Sequence, residues 1–149
     1  VSFCVLVFLS SSYGAYRNTG YLIEYSFLTD VDNSASIQEA FVSIENQLEG
    51  LGLNLLINNA GRIFIHPFLS ESEESMLQLY QTHVVGSLKM SQIFLPLLKK
   101  AAQMGPQDSL SCNRAAIINI SSLGGSIKEV FAWHLYHILS YRCSKLSDS

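Results

Sequence analysis

The chain has 149 residues, a length typical of a single domain. Apolar residues make up 48% of it and charged residues only 14%, which is typical of a globular protein with a large core. The net charge is −3, and the sequence holds neither a basic run nor an apolar run of membrane-spanning length, so its composition argues against nucleic-acid binding and against a membrane protein.

The chain opens on an apolar run, Val1 to Leu9, which fits a buried strand of β-branched and aromatic residues. A short apolar run followed by serines is also typical of a signal peptide, so a secreted product without residues 1–15 stays open as an alternative. The next stretch, Tyr13 to Gly20, has Asn18 where a phosphate-binding loop carries its central glycine. We therefore predict an ordinary loop there.

Strand and helix patterns then alternate along the chain. Tyr21 to Leu28 predicts a second strand that runs into Asp30. Apolar residues recur at helical spacing from Ile37 to Leu48, and glycines end that helix. Leu53 to Ile57 predicts a third, short strand. The alternation indicates parallel βαβ units.

The tetrapeptide Asn58 to Gly61 (NNAG) directly follows the third predicted strand. Its small residues, Ala60 and Gly61, would let a flat ligand lie against the backbone. An Asx-rich turn would explain the small polar residues but not their place at the end of a buried strand. Ligands of open α/β sheets bind at the carboxyl ends of strands, so this segment and Asp30 are candidate ligand contacts.

A long helical region is predicted from Ser70 to about Met104. Ser70 and Glu73 fit a capping box, and Pro96 predicts a kink or an interruption. The apolar residues expected to form the buried face of its first half are Met76, Leu77, Tyr80, Val84 and Leu88. A single histidine, His83, lies in this helix, and we expect a structural role for it.

The fourth predicted strand, Ala115 to Ile120, leads to Ser122 and later to Tyr141 and Lys145. Tyr141 and Lys145 are four positions apart, so on a helix they share a face. An ammonium beside a phenol stabilises the phenolate, and Ser122 could bond the same substrate oxygen. The pattern predicts proton transfer to or from an alcohol or carbonyl oxygen. Taken alone, Tyr-x-x-x-Lys also fits a surface tyrosine with a solvated lysine.

The three cysteines, Cys4, Cys112 and Cys143, are odd in number, far apart and without zinc spacing. They are typical of free thiols in a reducing compartment, and we expect a cytoplasmic protein. His134 and His137 have no evident third ligand, so the sequence predicts no metal site.

Four segments then occur in the order of a known family: Leu53 to Gly61 (LNLLINNAG), Phe94 to Lys100 (FLPLLKK), Ile117 to Ile127 (IINISSLGGSI) and Tyr141 to Lys145 (YRCSK). With them the chain resembles the short-chain dehydrogenases/reductases, and within that family the C-factor and sniffer-like carbonyl reductases. The resemblance covers about Leu28 to Lys145.

The resemblance implies a Rossmann-type, doubly wound parallel sheet of the α/β class. This sheet would be incomplete, with about four strands and flanking helices. Residues 1–149 would form a single, partial dinucleotide-binding domain, in which residues 1–27 match poorly. The implied function is an NAD(P)-dependent oxidoreductase that transfers hydride between nicotinamide and a ketone, an aldehyde or a secondary alcohol. A homodimer is implied in the same way.

The family's pattern also assigns roles to residues. Tyr141 would donate or accept the proton at the substrate oxygen, Lys145 would hold the nicotinamide ribose and assist Tyr141, and Ser122 would orient the carbonyl. The residues that would contact the cofactor, NADP or NAD, are Asp30 and Val31 at the adenine, Asn58, Ala60 and Gly61 along its border, and Tyr141 and Lys145 at the nicotinamide end.

The chain also departs from the family. The glycine-rich loop is not intact at residues 14–20, His83 stands where the family usually has an asparagine, and the 19 positions from Ser122 to Tyr141 exceed the usual gap. The chain also looks shorter than the family at both ends. An alternative is therefore a non-catalytic remnant that acts as an interaction module or is an inactive product.

Overall fold

The computed structural model describes residues 3–10, 23–104, 114–129 and 137–147. The loop predicted at Tyr13 to Gly20, with its comparison to a phosphate-binding loop, lies outside the described residues. The same holds for His134 and Cys112.

Four strands form one sheet in the order β2-β1-β3-β4. Their bounds are β1 (Phe3–Ser10), β2 (Ile23–Asp30), β3 (Leu55–Asn58) and β4 (Ala116–Asn119). All four predicted strands are present, with ends shifted by one or two residues. β3 and β4 pair in parallel, with Leu55 beside Ala116.

The predicted sheet was parallel throughout, and this is wrong for β1. This strand runs antiparallel to both β2 and β3. A parallel pair needs a long crossover that usually contains a helix, whereas an antiparallel pair can be joined by a short connection. Only residues 11–22 join β1 to β2, and the pair forms an antiparallel ladder from Phe3–Asp30 to Ser10–Ile23. Since β1 is reversed, β2, β3 and β4 all run in the same direction, and these strands confirm the Rossmann-type α/β fold.

The helices are α1 (Ser34–Gln47), α2 (Glu73–Tyr80), α3 (Ser87–Met104) and α4 (Leu139–Leu146). A π-helical turn, Gln81–Gly86, joins α2 to α3, and short 3-10 turns lie at Phe68–Ser70 and Leu123–Gly125. The long predicted helical region is thus one stack of α2, the π turn and α3. It continues through Pro96, which lies inside α3.

The predicted capping box of Ser70 and Glu73 is wrong. Ser70 lies in the 3-10 turn, and its hydroxyl donates to the Pro67 carbonyl over 3.1 Å. Ser72 caps α2 instead, because its Oγ accepts from the Ser75 backbone N–H over 3.1 Å. The helix therefore begins two residues later than the pattern indicated.

The core lies between α1, α3 and the sheet. Its buried residues are Val31, Ile37, Ala40, Ile44, Leu48, Leu53, Leu56, Ala60, Met90, Phe94, Leu97 and Leu98. The predicted apolar face of α1 is confirmed. The face predicted for the first half of the long helical region is wrong, since Leu77 and Tyr80 of α2 are exposed. Leu79 of α2 and Thr82 and His83 of the π-helical turn are fully buried instead. Hydrogen bonds compensate the burial of Thr82 and His83.

The loop after α1 approaches α3 closely. A Cβ atom on Gly52 would lie 2.1 Å from the backbone nitrogen of Ala101, so only glycine fits there. In the part of the chain that the structure describes, no helix combines the length and the apolar character needed to cross a membrane.

Candidate active site

The carboxyl ends of β2, β3 and β4 meet at one edge of the sheet, because the three strands run in the same direction. Asp30 ends β2, Asn58 ends β3, and Ser122 follows the end of β4. Ligands of open α/β sheets bind at such an edge. The fold therefore collects three of the segments singled out in the sequence, although they are far apart along the chain.

Asn58 connects the end of β3 to β4 and to α3 through hydrogen bonds. Its side-chain amide donates to Asn119 Oδ1 over 2.7 Å and to Ser91 Oγ over 3.1 Å. Its backbone carbonyl accepts from the Ile120 N–H over 2.9 Å. Asn58 Oδ1 is buried and has no hydrogen-bond partner among the described residues. Buried acceptors are normally satisfied, so this oxygen fits a donor on a ligand or a water molecule.

The segment after β2 is held by its own hydrogen bonds. Asp30 Oδ1 accepts from the Asp32 N–H over 3.1 Å, and the Asp30 N–H donates to Ser36 Oγ over 3.1 Å. Val31 as a whole is only 2% exposed, and its side chain lies against Gly86, where a Cβ atom would be 3.0 Å from Val31 Cγ2. Val31 thus belongs to the core, and almost none of its surface is open to a ligand.

Tyr141 and Lys145 both lie on α4, so the helical spacing predicted for them is confirmed. Lys145 is 6% exposed, and its Nζ donates to the Ile120 carbonyl over 2.8 Å. This bond joins α4 to the end of β4. The alternative of a solvated lysine is thereby excluded, because a surface lysine would extend into water.

Ser122 and Tyr141 both lie beside Gly124. A Cβ atom built on Gly124 would lie 3.3 Å from Ser122 Oγ and 2.9 Å from Tyr141 Cε1. Ser122 Oγ also accepts from the Gly124 N–H over 3.1 Å, which fixes the serine at the start of the 3-10 turn. The long connection between Ser122 and Tyr141 therefore does not separate them.

His83 bridges the segment after β3 and α4. It is fully buried, its Nε2 accepts from the Arg62 N–H over 3.1 Å, and its Nδ1 lies 2.8 Å from Ser144 Oγ. Because Nε2 accepts, the ring proton resides on Nδ1 and is donated to Ser144, whose hydroxyl donates to the Tyr141 carbonyl over 2.9 Å. The ring also meets Tyr141 edge to face, with centroids 5.4 Å apart. These contacts fit the structural role expected for His83.

Sequence reasoning missed a polar cluster beside this site. Arg62 forms an ion pair with Asp32, and Thr82 Oγ1 donates to Asp32 Oδ1 over 2.9 Å. The cluster joins the segments after β2 and β3 to the π-helical turn. The only signal in the sequence is that Arg62 directly follows Asn58 to Gly61, which does not identify its partner.

His66, Glu71 and Ser75 also meet, but not as a catalytic triad. Glu71 Oε1 lies 3.3 Å and Ser75 Oγ 3.5 Å from the same atom, His66 Nδ1. A triad requires contacts at the two different ring nitrogens. Within the ranges that the structure describes, no group of three His, Cys, Asp or Glu side chains could hold a metal ion.

The residues at this edge fit a dinucleotide. The buried, unsatisfied oxygen of Asn58 offers an acceptor, Ala60 and Gly61 leave the backbone uncovered by large side chains, and Asp30 offers a carboxylate at the end of β2. The Ser122 hydroxyl, the Tyr141 phenol and the Lys145 ammonium supply donors beside it.

Comparisons with known proteins agree with this geometry. A model of the short chain dehydrogenase family matches residues 15–146. An uncharacterized oxidoreductase of Schizosaccharomyces pombe is 30% identical over 121 residues, which are 80% of this chain and 45% of the relative. A 3-amino-tetrahydro-pyrrolizinone reductase of Xenorhabdus hominickii is 34% identical over 98 residues, which are 66% of this chain and 30% of the relative. The chain thus spans less than half the length of both relatives.

Solved structures of two carbonyl reductases are also similar to this chain. An NADPH-bound carbonyl reductase from chicken fatty liver is 48% identical with a TM-score of 0.76, over 80% of this chain and 45% of that one. The carbonyl reductase Sniffer of D. melanogaster is 32% identical with a TM-score of 0.72, over 82% of this chain and 48% of that one.

Proposed function

The chain belongs to the short-chain dehydrogenase family, and from this premise we propose that it carries the core of an NAD(P)-dependent carbonyl reductase. The reaction would convert a ketone or an aldehyde to an alcohol, or run in the reverse direction with a secondary alcohol. The observation that carries the proposal is that Ser122 and Tyr141 both lie beside Gly124, while Lys145 holds the helix of Tyr141 against the end of β4.

Tyr141 acts in this proposal as the acid and base. In the reductive direction its phenol gives a proton to the carbonyl oxygen, and in the oxidative direction the phenolate takes the proton back from the alcohol. Ser122 lies beside the Tyr141 ring and would donate a hydrogen bond to the same oxygen, which orients the carbonyl and stabilises the negative charge that develops on it.

Lys145 lies one helical turn after Tyr141 and holds α4 against β4 through the Ile120 carbonyl. An ammonium beside a phenol favours the phenolate form, which would assist proton transfer. In this proposal Lys145 would also hold the ribose of the cofactor.

The cofactor residues in this proposal are those at the carboxyl ends of β2 and β3. Asp30 would contact the adenine beside the buried Val31, and Asn58, Ala60 and Gly61 would border the dinucleotide. When bound, a nicotinamide supplies or takes the hydride. The likeness to a carbonyl reductase that binds NADPH supports NADP rather than NAD.

Two further expectations complete the proposal. Cys143 is an exposed free thiol, which supports a reducing compartment and hence the cytoplasm. A homodimer follows from the family resemblance, and size-exclusion chromatography with light scattering would measure it.

The experiment is a spectrophotometric assay of the purified protein with NADPH and with NADH against a panel of aldehydes and ketones. Oxidation of either nucleotide that depends on the carbonyl supports the proposal. A folded protein that binds neither nucleotide in a fluorescence titration would contradict it and favour the non-catalytic remnant.

A further inference from the structure

Among the described residues, no strand ladder joins the end of β2 to the end of β3 at the edge where the cofactor is proposed to bind. β1 lies between these two strands and pairs with β2 along its whole length, as far as Asp30. Its register with β3 covers Leu55 and Leu56, so Asn58 at the end of β3 lies beyond it. Contacts outside the ladder must therefore set the spacing of these two strand ends.

The ion pair of Arg62 and Asp32 spans this gap. Asp32 follows the end of β2 by two residues, and its backbone N–H donates to Asp30 Oδ1 over 3.1 Å. Arg62 directly follows Gly61, the last residue of the motif after β3, and its Nη2 donates to Asp32 Oδ2. The pair thus connects the two segments whose residues are proposed to contact the cofactor.

Buried residues of the π-helical turn hold both members of the pair. Thr82 is fully buried, and its Oγ1 lies 2.9 Å from Asp32 Oδ1 and 3.1 Å from Asp32 Oδ2. His83 is fully buried as well, and its Nε2 accepts from the Arg62 backbone N–H over 3.1 Å. An ion pair between anchored residues loses less conformational entropy than one between free side chains. The side chains of Arg62 and Asp32 are 21% and 23% exposed, so the pair lies at the surface of this edge and not in the core.

We propose that Arg62 is a positioning residue for the nucleotide: its ion pair with Asp32 holds the ends of β2 and β3 at the spacing that the cofactor contacts require. With the pair in place, Asp30 and the segment Asn58 to Gly61 face the nucleotide from fixed positions. Less free energy is then lost in ordering them when the nucleotide binds. The inference rests on the proposed function, because it assigns a role at the proposed cofactor site.

The first test compares nucleotide affinity and turnover in the wild type, Arg62→Met and Arg62→Lys. In Arg62→Met we expect the Kd for NADPH, from a fluorescence titration, to rise about fivefold, the upper limit for a partly exposed ion pair. The kcat at saturating NADPH should stay unchanged, because the substitution keeps the backbone N–H that bonds His83. Arg62→Lys keeps the charge but not the planar fork, and should recover part of the affinity.

Lys100→Met is the matched control for this test. It removes an exposed cation near the end of α3, where the Leu97 carbonyl accepts from the Leu53 N–H ahead of β3 and thus at the opposite edge of the sheet. Its Kd and kcat should equal those of the wild type. If the wild type binds NADPH and Arg62→Met binds it equally well, the inference is overturned.

A double-variant cycle separates positioning from a direct contact of Arg62 with the nucleotide. Asp32→Asn breaks the same ion pair with a side chain of the same size, and it keeps the test decisive should Arg62→Met not fold. If the pair acts through position, both single variants and the double variant raise the Kd by about the same factor. A direct contact with a phosphate predicts that Arg62→Met raises the Kd and Asp32→Asn does not, and this result would overturn the inference.

Urea unfolding tests the pair without any nucleotide. We expect the unfolding equilibrium constant to rise roughly threefold in each single variant and by the same factor in the double variant. Additive effects would overturn the inference, since the two side chains would then act independently. A wild type that binds neither NADPH nor NADH would refute the proposed function. Coupled unfolding would in that case still support a pair that fixes the strand ends, and uncoupled unfolding would overturn it.

Discussion

Lys145 Nζ donates a hydrogen bond to the backbone carbonyl of Ile120 over 2.8 Å. The bond connects the helix that carries Tyr141 to the strand end from which Ser122 emerges. Lys145 is almost fully buried, so its ammonium serves the fold, and the residue lies one helical turn after Tyr141, the proposed acid and base. Loss of the amine should therefore affect both stability and catalysis.

Lys145→Met tests this dual role. A hydrogen bond from a charged donor contributes about 1.5–3 kcal/mol, so the free energy of unfolding in urea should fall by about that amount. Nicotinamide-dependent reduction should fall roughly 100-fold or more. Lys128→Met removes an exposed amine and should alter neither value. Unchanged unfolding of Lys145→Met would show that the bond to Ile120 contributes nothing.

Tyr141→Phe and Ser122→Ala should abolish chemistry without abolishing nucleotide binding. Removal of the proton donor should lower kcat by about 10²- to 10⁴-fold, and removal of a hydrogen bond to the substrate oxygen by about 10²-fold. Steady-state rates and NADPH fluorescence titrations measure the two properties separately. Tyr80→Phe, an exposed tyrosine of α2, is the control. Full activity of Tyr141→Phe would refute the proposed mechanism.

Gly124→Ala should displace the Tyr141 ring, because the added methyl group would lie 2.9 Å from Tyr141 Cε1. We expect kcat to fall, and the free energy of unfolding to fall by about 1–3 kcal/mol because the added methyl group overpacks the site. Gly50→Ala is the control, because it should lower stability at a glycine away from Tyr141. Gly50 has a φ of +89° and open space around it, so its substitution should destabilise the fold by about 1 kcal/mol and leave kcat unchanged. Equal kinetics for both variants would contradict the contact at Gly124.

His83→Leu should destabilise the protein by about 2–3 kcal/mol, because a side chain of similar volume cannot bond Arg62 N–H and Ser144 Oγ. Denaturant unfolding measures the loss, and Gln92→Leu on the exposed face of α3 should lie within about 0.5 kcal/mol of the wild type. A His83→Leu protein as stable as the wild type would show that neither hydrogen bond stabilises the fold.

Stability should depend on pH through Glu71. Its pKa is lowered in the folded state, so its contribution is present above the ordinary value of 4.5 and is lost as the pH falls through the lower, folded value. Urea unfolding between pH 7 and pH 3 should show a steeper loss of stability in the wild type than in Glu71→Gln. An equal pH dependence of unfolding in the two proteins would mean that the native contacts of Glu71 do not favour its charged form over its protonated form.

The local patterns of the sequence determined much of this protein. Apolar spacing from Ile37 to Leu48 identified α1, short β-rich runs located the strands, and the motifs at Asn58 to Gly61 and at Tyr141 to Lys145 indicated the family and the site. These signals succeed because helix and strand periodicity depends on neighbours a few residues apart. The buried face of α2 and the π-helical turn was missed because it includes two polar residues of that turn, Thr82 and His83, whose partners lie elsewhere in the chain.

Only the tertiary structure decided the direction of β1, the placement of Ser122 and Tyr141 beside Gly124, and the contacts of the buried His83 with Arg62 and Ser144. Each of these depends on contacts between residues far apart in the chain. A local pattern states which side of an element is apolar, but not which distant element will cover it. Strand pairing and helix docking make that choice, by satisfying buried polar groups and filling the core together.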